Sequence, residues 1–415
     1  MPSFFGGIDW FLAYANAEQS FFRRHNDLFD AITVPGTVAT VFRQGTGGFV
    51  MALDMPYIID PRTSIFQSGF DRGRLGTRHV KLAEMHGQAA STIMTRRALT
   101  VADLEERLLR DMARSVVDFQ RTYSVTSSNK LDEYLALLGE TAGVPRAPRY
   151  VLPPYFRFDA AGGPWQRASL VAAVEALNYD RSASVCPVIC LSERCLRESD
   201  LDAIVAAYVR HEFAGYFLWV SKLDQYRSSG QDLATFGKLV ERFGRAGRPV
   251  VNLFGGYLSA TLSHVGLTGI SHGVGYGEAR DAFYYRGGPP GERYYIPMLH
   301  RFYPRENALV LLARLGPVAQ CCTCPTCAQA TGADDVLAHE QAARLDREGL
   351  RSHFLYTRRA ELDHIAGTSL AGLREELAAS YEAAYAIVSN APEREVRASV
   401  DHLANWIRAL DLLQS

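Results

Sequence analysis

An alternation of short apolar runs with amphipathic helical stretches limits the fold of this chain more than any other feature of the sequence. The runs are nearly continuous, as expected for parallel strands that are buried on both faces. About eight such strand-then-helix units predict a (β/α)8 barrel of the TIM type. A doubly wound open sheet is the alternative, because periodicity does not show whether a sheet closes. The predicted strands are 31–34, 57–60, 150–156, 185–191, 216–221, 249–253, 268–272 and 294–298.

Two regions depart from this rhythm. Residues 100–123 are predicted to form a long helix, with Thr100 as its N-cap and Asp103 in its first turn. Together with 130–140 they form a helical insertion at about 100–145 in the barrel. After Pro317 the chain becomes cysteine-rich and then helical to its last residue. We therefore expect a barrel of residues 1–316 and a zinc-binding, helical region of residues 317–415 packed on it.

Composition restricts the possible partners and surroundings of the chain. The net charge is −1 over 415 residues, so no global field attracts nucleic acid or anionic lipid, and a nucleic-acid surface would have to be a local patch. No apolar run is long enough to span a bilayer and no export leader is evident, so we expect no membrane partner. The seven cysteines favour a reducing compartment, and the cytoplasm is the expected location.

The cysteines near the C-terminal third indicate a metal site. Cys322, Cys324 and Cys327 place three thiolate ligands on one tight turn, which is typical of structural zinc. Tetrahedral zinc needs a fourth ligand, and Cys321 is poorly placed because it adjoins Cys322. A cluster of buried free thiols is the alternative interpretation. Three downstream histidines are candidates for the fourth ligand: His339, His353 and His364.

The run Cys-Thr-Cys-Pro-Thr-Cys, with His353 further along the chain, resembles the zinc motif of the tRNA-guanine transglycosylase superfamily. Residues 34–41, VPGTVATV, are similar to an early segment of that family. Residues 56–67, PYIIDPRTSIFQ, lie where the family has its aspartate-bearing loop, with Asp60 at the aspartate. The resemblance implies a barrel that carries structural Zn²⁺ on the three cysteines and His353.

The chain also departs from the family pattern. The family loop reads Asp-Ser-Gly-Gly-Phe-Gln, whereas Asp60 is followed here by Pro-Arg-Thr-Ser. The family's nucleophilic aspartate lies in a Phe-Asp-Cys segment, and the corresponding residues 269–273 read Gly-Ile-Ser-His-Gly, without a carboxylate. This divergence resembles the branch that inserts 7-deazaguanine bases into DNA.

The resemblance implies an enzyme that replaces guanine in DNA with a 7-deazaguanine base such as 7-cyano-7-deazaguanine. One alternative is the same exchange in tRNA. A second alternative is an inactive, nucleic-acid-binding subunit of a partner transglycosylase. The expected partners are therefore DNA or tRNA, the 7-deazaguanine base and other proteins of a modification system.

Base exchange needs a carboxylate nucleophile and an acid, and in a barrel both should follow strand ends. Asp60 and Asp224 each follow an apolar run and are the predicted catalytic residues. For both, an N-cap or turn aspartate is the alternative. Glu193 and Glu278 are weaker carboxylate candidates.

Further residues at predicted strand ends are candidates for substrate contacts. The rings of Tyr155 and Phe156 could stack on an extruded base or pack in the core. Gly255 and Gly256 would let a flat heterocycle approach the backbone. Ser271 and His272 could contact base or phosphate. Loop flexibility is the alternative for the glycine-rich segment. The predicted substrate-binding residues are Tyr155, Phe156, Asn252, Gly255, Gly256, Ser271 and His272.

Overall fold

The structure is a computed structural model that describes residues 3–14, 19–68, 76–123, 147–275, 277–283, 291–332 and 334–414. The strands are β1 (Asp9–Ala13), β2 (Ala31–Pro35), β3 (Tyr57–Asp60), β4 (Val188–Ser192), β5 (Tyr216–Ser221), β6 (Val250–Asn252), β7 (Gly269–Gly273), β8 (Arg293–Ile296) and β9 (Arg301–Pro304). The helices are α1 (Gln19–Arg24), α2 (Gly36–Val41), α3 (Arg43–Leu53), α4 (Gly76–Glu84), α5 (Gln88–Met94), α6 (Glu106–Arg121), α7 (Pro164–Tyr179), α8 (Glu198–Val209), α9 (Gly230–Gly244), α10 (Tyr257–Thr261), α11 (Arg305–Leu315), α12 (Pro325–Thr331), α13 (Ala338–Arg344), α14 (Arg347–Gly367), α15 (Leu370–Val388), α16 (Arg394–Arg397) and α17 (Asp401–Gln414).

The parallel strands close into a barrel. Seven of them form one sheet in the order β3-β2-β1-β7-β6-β5-β4. The gap between β3 and β4 is filled by a short extended segment, in which Tyr150 bridges to Ile58 and Val151 bridges to Val185, both in parallel. This segment is the eighth member of the ring, so the predicted (β/α)8 barrel is confirmed.

The ring uses a different set of strands from the predicted one. Its first strand, β1, was not among the predicted strands, although it pairs with both β2 and β7. The predicted strand at 294–298 is not part of the barrel, because β8 pairs with β9 as a separate antiparallel hairpin. A short apolar run does not show which strand it pairs with. The hairpin is apolar because it packs against helix α14.

Side chains alternate between the barrel interior and the helical layer, as the two-residue period of a strand requires. The interior cluster includes Phe11, Ile58, Leu152, Val188, Trp219 and Val251. Their chain neighbours belong to a larger core beneath the helices, which includes Trp10, Ile59, Leu218 and Ile270. Phe4 packs on Tyr150, with 3.9 Å between the ring centroids, and also belongs to the interior cluster.

The helical insertion begins as predicted and is then interrupted. The Thr100 hydroxyl and amide both donate to Asp103 Oδ2, at 2.8 and 2.7 Å, and cap a short 3-10 turn. Helix α6 starts only at Glu106. The predicted helix at 130–140 lies outside the described residues. The predicted division at residue 317 stays a prediction.

The C-terminal part is helical, as predicted, and covers one side of the barrel. Helix α14 places Phe354 against Trp10 of β1 and against Tyr295 and Phe302 of the hairpin. Helix α17 packs along α9. Among the helices of the described ranges, none combines the length and the apolar character that a bilayer span requires.

Candidate functional site

Asp60 lies at the carboxyl end of β3, where its side chain points into the mouth of the barrel. Its Oδ1 accepts hydrogen bonds from the Tyr155 hydroxyl at 2.6 Å and from the Arg62 amide at 3.0 Å. The side chain is about 3% exposed. Burial, and then the charge of Asp60, hold the pKa of Tyr155 well above its usual range, so this phenol stays protonated and donates to the carboxylate. Asp60 is therefore held in one orientation.

The chain turns sharply after Asp60. Arg62 has φ of 51°, in the left-handed region that an arginine rarely adopts, and its Nε lies 3.8 Å from Asp60 Oδ2. A 3-10 turn, Thr63–Gln67, follows and is almost entirely buried. The unusual backbone places the guanidinium beside the carboxylate that precedes it by two residues.

A second carboxylate occupies the same mouth. Ser221 ends β5, three positions around the ring from β3, and its hydroxyl donates to Asp281 Oδ1 at 3.3 Å. Asp281 Oδ2 also lies 3.3 Å from Lys222 Nζ, and the Asp281 side chain is 25% exposed. Asp281 was not predicted as a site residue, because it lies well past the end of β7 and returns to the mouth only through the fold.

Two aromatic side chains line the same mouth. The rings of Tyr155 and Trp219 meet edge to face, with 6.2 Å between their centroids. Trp219 also donates from Nε1 to the Arg280 carbonyl at 3.1 Å. The mouth thus combines apolar rings with a few oriented polar groups, which is the usual composition of a small-molecule site.

A buried polar network supports the loop that follows β7. Glu278 accepts hydrogen bonds from Gln225, Tyr226 and Arg358, the last of these at 2.7 Å. Burial raises the pKa of Glu278, and the Arg358 charge opposes that effect. Since both sides of this ion pair are enclosed, Glu278 has a positioning role in this structure. Glu193, the other weaker candidate, is exposed at the end of β4.

Asp224 occupies a turn. Its Oδ1 accepts from the Tyr226 amide at 2.9 Å, and its carbonyl accepts from the amides of Arg227 and Ser228. This geometry matches the alternative interpretation of a turn aspartate. Asp224 stays a predicted catalytic residue, but its carboxylate already stabilises a backbone turn.

The predicted substrate-binding residues divide between the two sides of the barrel wall. Tyr155 and Ser271 point inward, and the Ser271 hydroxyl lies 3.0 Å from that of Thr33. Phe156 points outward into a cluster around helix α6. His272 is also turned outward, with its ring 5.4 Å from Trp10 and 5.5 Å from Phe354. Burial lowers the pKa of His272 to about 3, so this imidazole is neutral at physiological pH.

The segment after β6 packs tightly against its surroundings. Asn252 donates to the Ser259 hydroxyl at 2.9 Å, and both are buried. A Cβ at Gly255 would collide with these two side chains, and a Cβ at Gly256 would collide with Gln225 and Glu278. In this structure, the space beside the two glycines is therefore filled by protein side chains.

The predicted metal ligands come together. The ligand atoms of Cys322, Cys324, Cys327 and His353 lie within 4.8 Å of one another. The His353 Nδ1 is 3.3 Å from the Cys327 sulfur and 3.7 Å from the Cys324 sulfur. A tetrahedral ion with zinc–sulfur bonds of about 2.3 Å fits a group of this size. Cys321 lies outside the group and donates its thiol to the Val336 carbonyl.

Neighbouring residues orient these ligands. His353 Nε2 lies 2.9 Å from the Tyr295 carbonyl, which leaves Nδ1 free to bind an ion. The Gln341 side chain accepts from the Cys322 amide at 2.7 Å and donates to its carbonyl at 3.0 Å. Hydrogen bonds among the three thiols lower the pKa of Cys322 and raise that of Cys327. The four residues can bind a metal ion.

No protein-family model and no curated protein matches the chain. Among solved structures, the intracellular xylanase TsXylA from Thermoanaerobacterium saccharolyticum matches with a TM-score of 0.39 and 8% identity, over 70% of this chain and 93% of that chain. A glycoside hydrolase family 10 endoxylanase from a sugarcane soil metagenome gives 0.35 and 10%, over 64% and 84%. A psychrophilic endo-β-1,4-xylanase of family 10 gives 0.37 and 8%, over 64% and 86%.

These comparisons contradict the predicted function. The predicted exchange of guanine in DNA is corrected, because the solved structures that match are glycoside hydrolases and not transglycosylases. The site agrees with this correction. At the end of β7, which corresponds to the segment of the family's nucleophile, Ser271 is bonded to Thr33 and His272 faces away from the mouth.

Proposed function

We propose that this chain is an enzyme that hydrolyses a glycosidic bond at the carboxyl end of its barrel. The observation that carries the proposal is that two carboxylates, Asp60 and Asp281, lie at one barrel mouth and are oriented by different strands. Glycoside hydrolysis uses a pair of carboxyl groups, one of which protonates the leaving oxygen. The other carboxylate attacks the sugar carbon or activates a water molecule.

The environments of the two carboxylates suit different roles. Asp60 is enclosed and held by Tyr155, so it would face the anomeric carbon. Asp281 is partly exposed beside Lys222, so solvent reaches it and it would serve as the acid and base. The Trp219 ring offers a flat apolar surface for a sugar ring between them.

We also propose that Zn²⁺ occupies the Cys3His group. Three thiolates and one imidazole are the ligand set that structural zinc prefers, and they would fill all four positions of the ion. The ion would tie the turn at Cys322 to helix α14 and supply no step of the reaction. The resemblance to the transglycosylase superfamily stays a prediction, as does a nucleic-acid, 7-deazaguanine-base or protein partner.

The proposal is tested with purified protein and a panel of 4-nitrophenyl glycosides of pentoses and hexoses, together with short xylo-oligosaccharides. We expect at least one of these to be hydrolysed, and Asp60→Asn and Asp281→Asn each to lower kcat/KM by about 10² to 10⁴, the usual contribution of an acid–base group. Asp202→Asn is the matched control, because this aspartate is exposed on helix α8. Asp224→Asn tests the other predicted catalytic residue and should keep most of its activity, because its carboxylate serves a turn.

Two results would count against the proposal. One is the absence of hydrolysis of every glycoside by a folded, metal-loaded protein. The other is an Asp60→Asn variant with wild-type kcat/KM, which would remove this carboxylate from the reaction. A loss that is confined to Asp224→Asn would move the chemistry to the β5 turn.

A further inference from the structure

The mouth of the barrel is covered by four residues of the chain itself, Arg280–Phe283, which we call the strap. Ala282, at its centre, is 0% exposed and belongs to the cluster of side chains inside the barrel. Tyr155 belongs to the same cluster as Ala282, and both Tyr155 and Asp60 are buried. A substrate cannot reach Asp60 while the strap is in this position.

On the β5 side, the strap is held by hydrogen bonds of its backbone. The Arg280 carbonyl accepts from Trp219 Nε1 at 3.1 Å and from the Lys222 amide at 3.0 Å. The Ala282 amide donates to the Ser221 hydroxyl at 3.0 Å. These three contacts all come from the end of a single strand.

On the β3 side, the strap is held more loosely. The Ser64 hydroxyl donates to the Ala282 carbonyl at 3.3 Å, and the Ser68 hydroxyl donates to that of Phe283 at 3.5 Å. The Arg157 guanidinium lies 3.9 Å from the centre of the Phe283 ring. The strap therefore spans the mouth from β5 to β3.

Most of these contacts can be exchanged for contacts with a sugar. Four of the groups that hold the strap are an indole N–H, the hydroxyls of Ser64 and Ser68 and a backbone N–H, all of which can donate to hydroxyl or ether oxygens. In this structure these donors bond the backbone carbonyls of the strap. The oxygen atoms of a sugar could accept the same hydrogen bonds. Gly277, just before Glu278, has φ of 123°, which gives the backbone a conformation that few other residues adopt.

We infer that the strap is a gate over the site, which leaves the mouth to admit a polyhydroxylated substrate and carries Asp281 back as it closes. This inference rests on the proposed glycosidase function for the identity of the substrate, whereas the movement itself can be measured without it. Closure that completes a catalytic pair is a common role of such segments. The Glu278–Arg358 ion pair anchors the chain immediately before the strap.

Cys190 provides a native reporter of the movement. It lies inside the barrel, is 0% exposed, and belongs to the same interior cluster as Ala282. Cys195 is buried on the other side of the wall, with its thiol directed to the Phe158 carbonyl at 3.6 Å. Opening of the strap would expose Cys190, whereas unfolding of the whole chain would expose both.

The experiment is N-ethylmaleimide labelling of the metal-loaded full chain, with the modification of each cysteine followed by peptide mass spectrometry. We expect Ser221→Ala to label Cys190 about three- to tenfold faster than wild type, since the substitution removes one or two hydrogen bonds to the strap. The rate at Cys195 should not change. Ser259→Ala is the matched control, because its buried hydroxyl bonds Asn252 and not the strap.

Equal labelling of Cys190 in Ser221→Ala and wild type would overturn the gate, as would an equal acceleration of Cys190 and Cys195. Neither outcome depends on glycoside hydrolysis. Failure of the glycosidase assay with faster Cys190 labelling would leave the gate in place and change only the substrate.

Discussion

Arg358 and Glu278 form an ion pair in which both side chains are almost completely buried, at 0% and 4% exposure, with 2.7 Å between Nη2 and Oε1. Helix α14 supplies the arginine, and the loop after β7 supplies the glutamate. The same arginine lies 3.2 Å from Glu361 and over the ring of Tyr295. The pair thus joins the C-terminal helices to the barrel mouth.

We expect Arg358→Met to destabilise the protein by about 3–5 kcal/mol, because it leaves the buried carboxylate of Glu278 without its partner. The free energy of unfolding, measured by chemical denaturation, checks this. Arg359→Met is the matched control, since Arg359 is partly exposed and its loss should cost about 1 kcal/mol at most. In the double variant, Glu278→Gln should restore part of the stability. A double variant as unstable as the sum of its two single variants would argue against the coupling.

We expect Cys324→Ser to lose most of the one zinc equivalent that the wild-type chain should carry, and to unfold at a lower temperature. A hydroxyl is a poor replacement for a thiolate ligand, and the binding energy of a structural ion is part of the folding energy. Metal analysis by mass spectrometry and thermal denaturation check the two effects. Cys321→Ser should keep its metal, because this thiol lies outside the group. Equal metal content in both variants would refute the assignment.

We expect the stability contributed by Asp9 to fall as the pH rises. Burial, opposed by hydrogen bonds from the Phe4 and Phe5 amides, raises the pKa of Asp9 to about 7 in the folded chain. A raised pKa means that this contribution is fully present below about pH 4, the pKa of an unfolded aspartate, and is lost as the pH rises to about 7. The slope in that window is about 1.4 kcal/mol per pH unit.

Denaturation of wild type and Asp9→Asn at pH 5 and pH 8 checks the sign. Wild type should lose stability between these values, and the variant should lose less. Some slope should persist in the variant, because burial raises the pKa of Asp30 as well. Asp202→Asn is an exposed control that should follow wild type. The prediction would be contradicted if wild type and Asp9→Asn both gained stability by the same amount up to pH 8.

We expect Gly256→Ala to destabilise the protein by about 1–3 kcal/mol, the usual cost of an added methyl group in a packed region. The new Cβ would collide with the side chains of Gln225 and Glu278. Chemical denaturation gives the change in the free energy of unfolding. Gly367→Ala is the control, because its Cβ would have no atom within 4 Å apart from those of its chain neighbours and its own helix backbone. If both variants were as stable as wild type, the close packing around Glu278 would be disproved.

Much of the architecture could be predicted from local patterns. The stripe of apolar residues in α9, including Leu233, Phe236 and Val240, is buried as the helical period requires. The strand at 294–298 was misplaced, because an apolar run is equally compatible with a barrel strand and with a hairpin under a helix. Its pairing with β9 depends on contacts that no local pattern encodes.

The candidate site was predictable only in part. Asp60 was found because it directly follows an apolar strand, and strand ends meet at one edge of a barrel. Asp281 was missed because a loop returns it to the mouth. His272 and Ser271 were grouped together, although strand alternation sends them to opposite sides of the wall.

The strand-and-helix rhythm of the barrel and the turn that brings the three cysteines together follow from the amino-acid sequence alone. Both depend on periods and spacings that act over a few residues, which is the range of backbone geometry and of metal ligation. In contrast, the contact of Arg358 with Glu278 across 80 residues of chain, and the burial of Ala282 in the mouth, follow only from the folded chain. Such contacts depend on how whole elements pack, because burial and pairing are properties of the closed barrel and not of any one segment.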